Sequence, residues 1–287
     1  MGKKLRLSAL ALSMTLCLSA QLMAYGSAEK TYYEYTNIRE VNLKDMSIYS
    51  IAIVGADTKV CRLELEYPEN TRFKVHHDVR GGELRVWTKD TRVLFSSSAG
   101  PHSVKITVPQ NIFIRSKSNT GTQQIDSVAG DLEISSDTGS VTMNNCSGMI
   151  TLSADTGAVT LHHATGDINA SSHTGALSLY DVQGTIRLQT DTGSVRLEDL
   201  LGAVTVETDT GSIKADKLLL NGDSAFSADT GSITLDLDNA MEDIKVFARS
   251  GLGRISVYDT EARKHQVWGT GPLLVELKTD TGSITVK

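Results

Sequence analysis

The stretch DTGSVTMNNCSGMITLSADTG, residues 137–157, holds two short alternating runs separated by glycine corners, and most of the chain repeats it. Glycine recurs at 121, 130, 139, 148, 157, 166, 175, 184, 193, 202 and 211, every ninth position. The glycines are of two alternating kinds, so the full period is 18 residues. One kind closes Asp-Thr-Gly, opened by Asp137, Asp155, Asp191, Asp209 and Asp229, with His173 substituting once. The other kind follows a variable residue, as in Ser147-Gly148, Thr165-Gly166, Gln183-Gly184 and Leu201-Gly202. A fixed period of this kind outranks local propensity as a fold signal.

Between corners, apolar and polar residues alternate strictly. Val141 and Met143 follow one glycine, Ile150 and Leu152 the next, then Val159 and Leu161. Period two marks a strand with one face buried and one in water. Cys146, Ala164, Val182, Leu200 and Leu218 lie seven residues past each Asp-Thr-Gly glycine, and Ser136, Ala154, Ser172, Thr190 and Thr208 lie six past the other kind. One corner is therefore filled by an apolar stack, the other by a stack of small residues. The expected fold is all-β: a β-solenoid, helix- or roll-like, with 18-residue coils made of two 9-residue half-repeats. Coils should rise about 4.8 Å each, with right-handed winding as the default. Glycine at the corners suits a positive φ or a close backbone approach.

The register loosens near Gly222 and recovers at Asp229. A degenerate copy, Ser250-Gly-Leu-Gly-Arg-Ile-Ser-Val257, precedes an insertion from Tyr258 to Gly271, and the chain closes on Asp280-Thr-Gly-Ser-Ile-Thr-Val286. An exposed solenoid end is an edge that recruits other chains, and this insertion is positioned to cover it. Residues 29–115 lack the glycine grid but alternate, as in Leu63-Glu-Leu65 and Val104-Lys-Ile106-Thr-Val108. They are expected to form an irregular β cap ahead of a repeat region spanning 116–287.

Residues 1–28 read as a signal peptide: Lys3, Lys4 and Arg6, an apolar run from Leu7 to Leu18, then the small residues Ala24, Gly26 and Ala28. Cys17 belongs to the apolar run, because the bulky Leu16 precedes it. No later run is long enough to span a membrane. The expected location is periplasmic, cell-surface or secreted. With 28 basic against 34 acidic residues and a net charge of −6, nothing invites nucleic acid. At 40% apolar the chain is not disordered, and Cys61 and Cys146 are too few for a disulfide framework, although they could pair with each other.

Asp-Thr-Gly-Ser also surrounds the carboxylate of pepsin-like proteases, whose chemistry needs two acids sharing a proton across a cleft. Here the motif recurs at coil spacing, so its copies should stack and not converge. The expected role of the acid is local: accepting backbone N–H groups at a turn. The same stack makes Asp137, Asp155, Asp191, Asp209 and Asp229 the calcium candidates, without the Gly-Gly-x-Gly-x-Asp pattern that calcium-binding rolls use. His162, His163 and His173 lack the spacing of a zinc set. The outward positions Thr142, Thr151, Thr160, Ser178, Arg187, Arg196, Thr205 and Lys214 could form a polar ladder for a repetitive surface. No phosphate loop or nucleophile elbow is present. No catalytic residue and no cofactor is expected, and the chain is expected not to be an enzyme.

The alternating stretch ending in Val104-Lys-Ile-Thr-Val-Pro109, together with the Asp-Thr-Gly-Ser-[Ile/Val]-x-[Val/Leu] corners from 137 to 286, resembles the bacterial toast-rack domain family, also called adhesin-like. The resemblance implies an exported surface or envelope β-solenoid. Its implied partner is a surface ligand: host matrix, glycan or envelope component. It also implies an alternative, an envelope-stress component binding lipid or cationic peptide. A glycan-processing enzyme on the same scaffold would need Asp with Arg or Lys gathered across adjacent coils.

Overall fold

The computed structural model describes residues 28–68, 71–90 and 101–287; the export label expected over 1–28 lies outside the described residues except for Ala28. Among the described residues there are 24 strands and no helix. The first group is β1 (Ala28–Thr36), β2 (Glu40–Met46), β3 (Ser50–Ala56), β4 (Val60–Pro68), β5 (Phe73–Arg80), β6 (Glu83–Asp90) and β7 (Ser103–Pro109). The regular coils comprise β8 (Phe113–Thr120), β9 (Gln123–Asp126), β10 (Leu132–Thr138), β11 (Val141–Asn144), β12 (Ser147–Thr156), β13 (Val159–Thr174), β14 (Leu177–Thr192), β15 (Val195–Thr210) and β16 (Ile213–Leu220). The last group is β17 (Ser224–Thr230), β18 (Ile233–Leu237), β19 (Ile244–Leu252), β20 (Ile255–Val257), β21 (Thr260–Ala262), β22 (His265–Trp268), β23 (Leu273–Thr281) and β24 (Ile284–Val286).

Parallel pairing runs at a register of 18. Val141, Val159, Leu177, Val195 and Ile213 are successive partners on a first face. Leu132, Ile150, Ile168, Ile186 and Val204 are successive partners on a second. All ten of these side chains are at most 1% exposed, so the two faces enclose one continuous apolar core. The long strands β13, β14 and β15 each run through a corner from one face to the other. Cys146, Ala164, Val182, Leu200 and Leu218 fill one corner as an apolar stack, all of them buried.

The glycines answer to a close approach. A Cβ at Gly157, where φ is 146°, would lie 2.2 Å from the carbonyl oxygen of Gly139 one coil below. At Gly148, with φ 121°, the same contact to Gly130 would be 2.3 Å. The small-residue stack completes these corners. The hydroxyls of Ser172, Thr190 and Thr208 donate to the carbonyls of Gly157, Gly175 and Gly193 at 3.3–3.4 Å, and Thr279 and Ser250 do the same for Gly231 and Gly282 at 2.9 Å.

A further column was not visible as a glycine signal. Ser127, Asn145, His163, Asp181, Asp199 and Lys217, each 18 apart, adopt φ of 53–59°. The left-handed residue breaks the period of two, so that the next side chain, such as Cys146, turns inward again. Asn and Asp tolerate this region because they can bond locally; Lys has no such compensation.

At both ends the spatial order of coils departs from chain order. The coil β2–β3 lies between β6–β7 and β8–β9. The last coil in sequence, β23–β24, lies between β17–β18 and β19–β20. Each of these coils is hydrogen-bonded along both edges. Antiparallel strands then terminate the stack: β4 and β1 on β7, β5 on β6, β21 on β20 and β22 on β19. The insertion expected as a cover is the source of β21 and β22. Aromatic residues plug the ends. Tyr49 is buried, donates its hydroxyl to the Phe73 carbonyl at 2.6 Å and meets Tyr67 and His102 edge-on; Tyr258 packs on Trp268 at the far end.

The close approach sets the first expectation. Gly157→Ala should destabilise the fold by about 3 kcal/mol in denaturant titration, whereas Gly222→Ala, whose Cβ would meet the Ala203 methyl at 3.0 Å, should cost much less. Equal effects would remove the stacking argument. A second expectation follows from the left-handed column. Lys217→Gly should raise stability by about 0.5 kcal/mol, while Lys214→Gly in the adjoining strand should lower it by about 1 kcal/mol; the difference in sign, read by thermal melts, is the test.

Candidate functional site

The outward polar positions divide between two opposite faces. Thr142, Thr160, Ser178, Arg196 and Lys214 form one row on the first face. Thr151, Asn169, Arg187 and Thr205 form a row on the second. The single ladder that the sequence suggested is therefore two ladders. They also differ electrostatically. On the first face Arg196 meets Glu198 at 2.9 Å and Lys214 meets Asp216 at 2.8 Å, so the cations are neutralised in place.

The second face carries a shallow trough of about 330 Å³ crossing four consecutive coils. Its rows are Thr151, Asn169, Arg187 and Thr205, and, two residues further along each strand, Ser153, Ser171, Gln189 and Glu207. Short side chains on β12 and β13 leave the hollow; long ones on β14 and β15 wall it. Arg187 and Glu207 have no ion-pair partner among the described residues, so an exposed guanidinium faces a floor of hydroxyl and amide groups. Ser153, Ser171, Gln189 and Glu207 escaped the sequence reading. Their signal was the second outward position of each half-repeat.

The Asp-Thr-Gly carboxylates project into solvent along one corner. The expectation that they accept backbone N–H groups fails: among the described residues none of them does. Asp137 lies 4.0 Å from Lys117, Asp280 lies 3.9 Å from Lys278, and Asp191 bonds the His173 ring one coil below. Asp155, Asp209 and Asp229 have no ion-pair partner among the described residues. Strand pairing of the flanking threonines, Thr138 to Thr156 for example, fixes these corners instead. Among the described residues no three His, Cys, Asp or Glu side chains are grouped so as to hold a metal ion.

The histidines separate. His162 stacks on Tyr180 at 4.8 Å, and His163 Nδ1 lies 2.7 Å from Asp181 in the left-handed column. Cys61 and Cys146 are both free and buried, which answers the open question of their pairing. Burial pushes the Cys61 thiol up to about 12 and also raises that of Cys146. Neither is a nucleophile at neutral pH.

The Toastrack DUF4097 sequence profile matches residues 39–287. The chain belongs to that family. Two solved structures are similar to this Toastrack chain. One is a candidate cell adhesion protein from Clostridium sporogenes, at 13% identity and TM-score 0.28. The other is a candidate adhesin from Bacteroides fragilis, at 11% identity and TM-score 0.43. Each comparison covers 91% of this chain and 99% of the other. None of the curated proteins compared with the chain matches it. No helix among the described residues is long and apolar enough to cross a membrane.

The state of the thiols gives a third expectation. Both cysteines of the folded Toastrack chain should resist a thiol reagent at pH 8 and react together on global unfolding, followed by absorbance of the released reporter. Rapid labelling of either one in the native protein would contradict the burial.

Proposed function

We propose that this Toastrack chain is an exported, non-enzymatic, adhesin-like binding protein that takes a hydroxyl-rich polymer, a glycan, along the trough of the second face. The observation that carries the reading is the four-coil trough with an unpaired Arg187 over Thr151, Ser153, Asn169 and Ser171. Hydroxyls and amides exchange hydrogen bonds with sugar hydroxyls, and a rung spacing of about 4.8 Å presents them as a regular series. A rigid β scaffold holds these groups in place, so little ordering cost accompanies binding. The segment 1–28 supports export through its basic start, apolar run and small-residue end.

A glycan panel with purified protein tests this. Binding should weaken about tenfold or more in Arg187→Glu, through loss of a charge-assisted contact, and stay unchanged in Arg196→Glu on the opposite face. Absence of glycan binding, equal loss in both variants, or glycan cleavage by the wild type would each defeat it.

A further inference from the structure

The terminal coil breaks the corner rule that the others follow. Along the corner, Thr156, Thr174, Thr192, Thr210, Thr230 and Thr281 are stacked, and the next rung places Leu252 against Thr281. The acid is lost in the same step: Asp280 is followed by Gly251. Leu252 is 72% exposed. On the adjoining face, Phe247 and Val267 are direct partners across β19 and β22, 40% and 50% exposed. Of the eight large apolar side chains exposed among the described residues, these three lie at this end.

The charge of this end is also reversed. Arg249, Lys264 and His265 border one hollow of about 540 Å³ together with Phe247, Ser250 and Gly251. Arg249 pairs in register with His265, and Lys278 follows on the next strand. Arg263 is exposed beside Lys264. None of Arg249, Arg263, Lys264 and His265 has an ion-pair partner among the described residues. Glu276 lies across from Phe247, Asp280 lies 3.9 Å from Lys278, and Glu261 is paired with Arg254 at 3.2 Å. The cations stand unpaired in a chain whose net charge is −6.

We propose that this end docks on a bilayer rich in anionic phospholipid headgroups. The cations are drawn to the headgroup phosphates, and Leu252, Phe247 and Val267 enter the interfacial region. Apolar and basic groups side by side are the combination that an anionic membrane surface rewards and that a purely polar polyanion does not. Arg249 lies three rungs from Glu207 at the near edge of the trough, about 14 Å at the usual strand spacing. A chain seated by its end would keep the trough clear of the membrane. The inference is independent of glycan binding in the trough.

The test is co-sedimentation of the chain with vesicles of phosphatidylcholine alone and with phosphatidylglycerol added, at low and raised salt. Binding should require the anionic lipid and fall with salt. Arg249→Ala with Lys264→Ala should weaken it about 30-fold. Leu252→Ser, at an exposed position that need not disturb folding, should remove the part that survives raised salt. Thermal melts confirm that each variant is folded, and Arg187→Glu should bind vesicles as the wild type does. No vesicle binding, or binding indifferent to both sets of variants, overturns the proposal. So does capture of soluble dextran sulfate as strong as that of vesicles and insensitive to Leu252→Ser, which would make the end a polyanion site.

Discussion

The structure depends on how closely one corner can sit on the next. The carbonyl of each corner glycine occupies the place where a Cβ on the glycine above would be, 1.8–2.2 Å away for the series from Gly139 to Gly231. That approach holds neighbouring coils at strand-pairing distance around the bend, where a sheet would otherwise splay. It also leaves the glycine carbonyls at this corner, and the hydroxyls of Ser172, Thr190, Thr208, Thr279 and Ser250 meet five of them, while Ala154 and Ala228 hold the same place in the column without a hydroxyl. A buried carbonyl without a partner is expensive, which favours a small hydroxyl residue at these five places, whereas the opposite corner is filled by the apolar stack from Cys146 to Leu218. The column of second glycines ends at Gly202, whose partner on the next rung is Leu220, and side chains support the backbone there. Ser224 accepts the Val204 N–H and Asn239 brackets both backbone groups of Leu220.

A stack of parallel coils is stable in the middle and exposed at its ends. This chain places a coil out of chain order at each end, so that β2–β3 and β23–β24 are bonded on both sides. A terminus clamped between two neighbours does not fray as a free last rung would. Antiparallel strands then turn the remaining edges, and Tyr49, Tyr258 and Trp268 close the core beneath them.

With the interior fixed in this way, the outward positions are free to vary. The first face pairs its charges off; the second leaves Arg187 open above a polar floor; the end coil β19–β20 has Gly251 and Leu252 where its neighbour has acid and hydroxyl. The three surfaces share one backbone and differ only in which outward side chains it carries.

The alternation of Val141, Met143, Ile150 and Leu152, and the glycine at every ninth place, determined the coil, its 18-residue length and its inward residues. These follow from local periodicity and from steric demands that a single residue type meets, and both are written in the order of residues. The left-handed column from Ser127 to Lys217 was not legible, because it is occupied by six residues of five types, with only backbone geometry in common. The division of Thr142 and Thr151 between opposite faces, the trough around Arg187, and the insertion of β23–β24 ahead of β19–β20 were decided by tertiary structure alone. Each depends on which coil lies beside which, and the hydrogen bonds that set this join residues far apart in the chain.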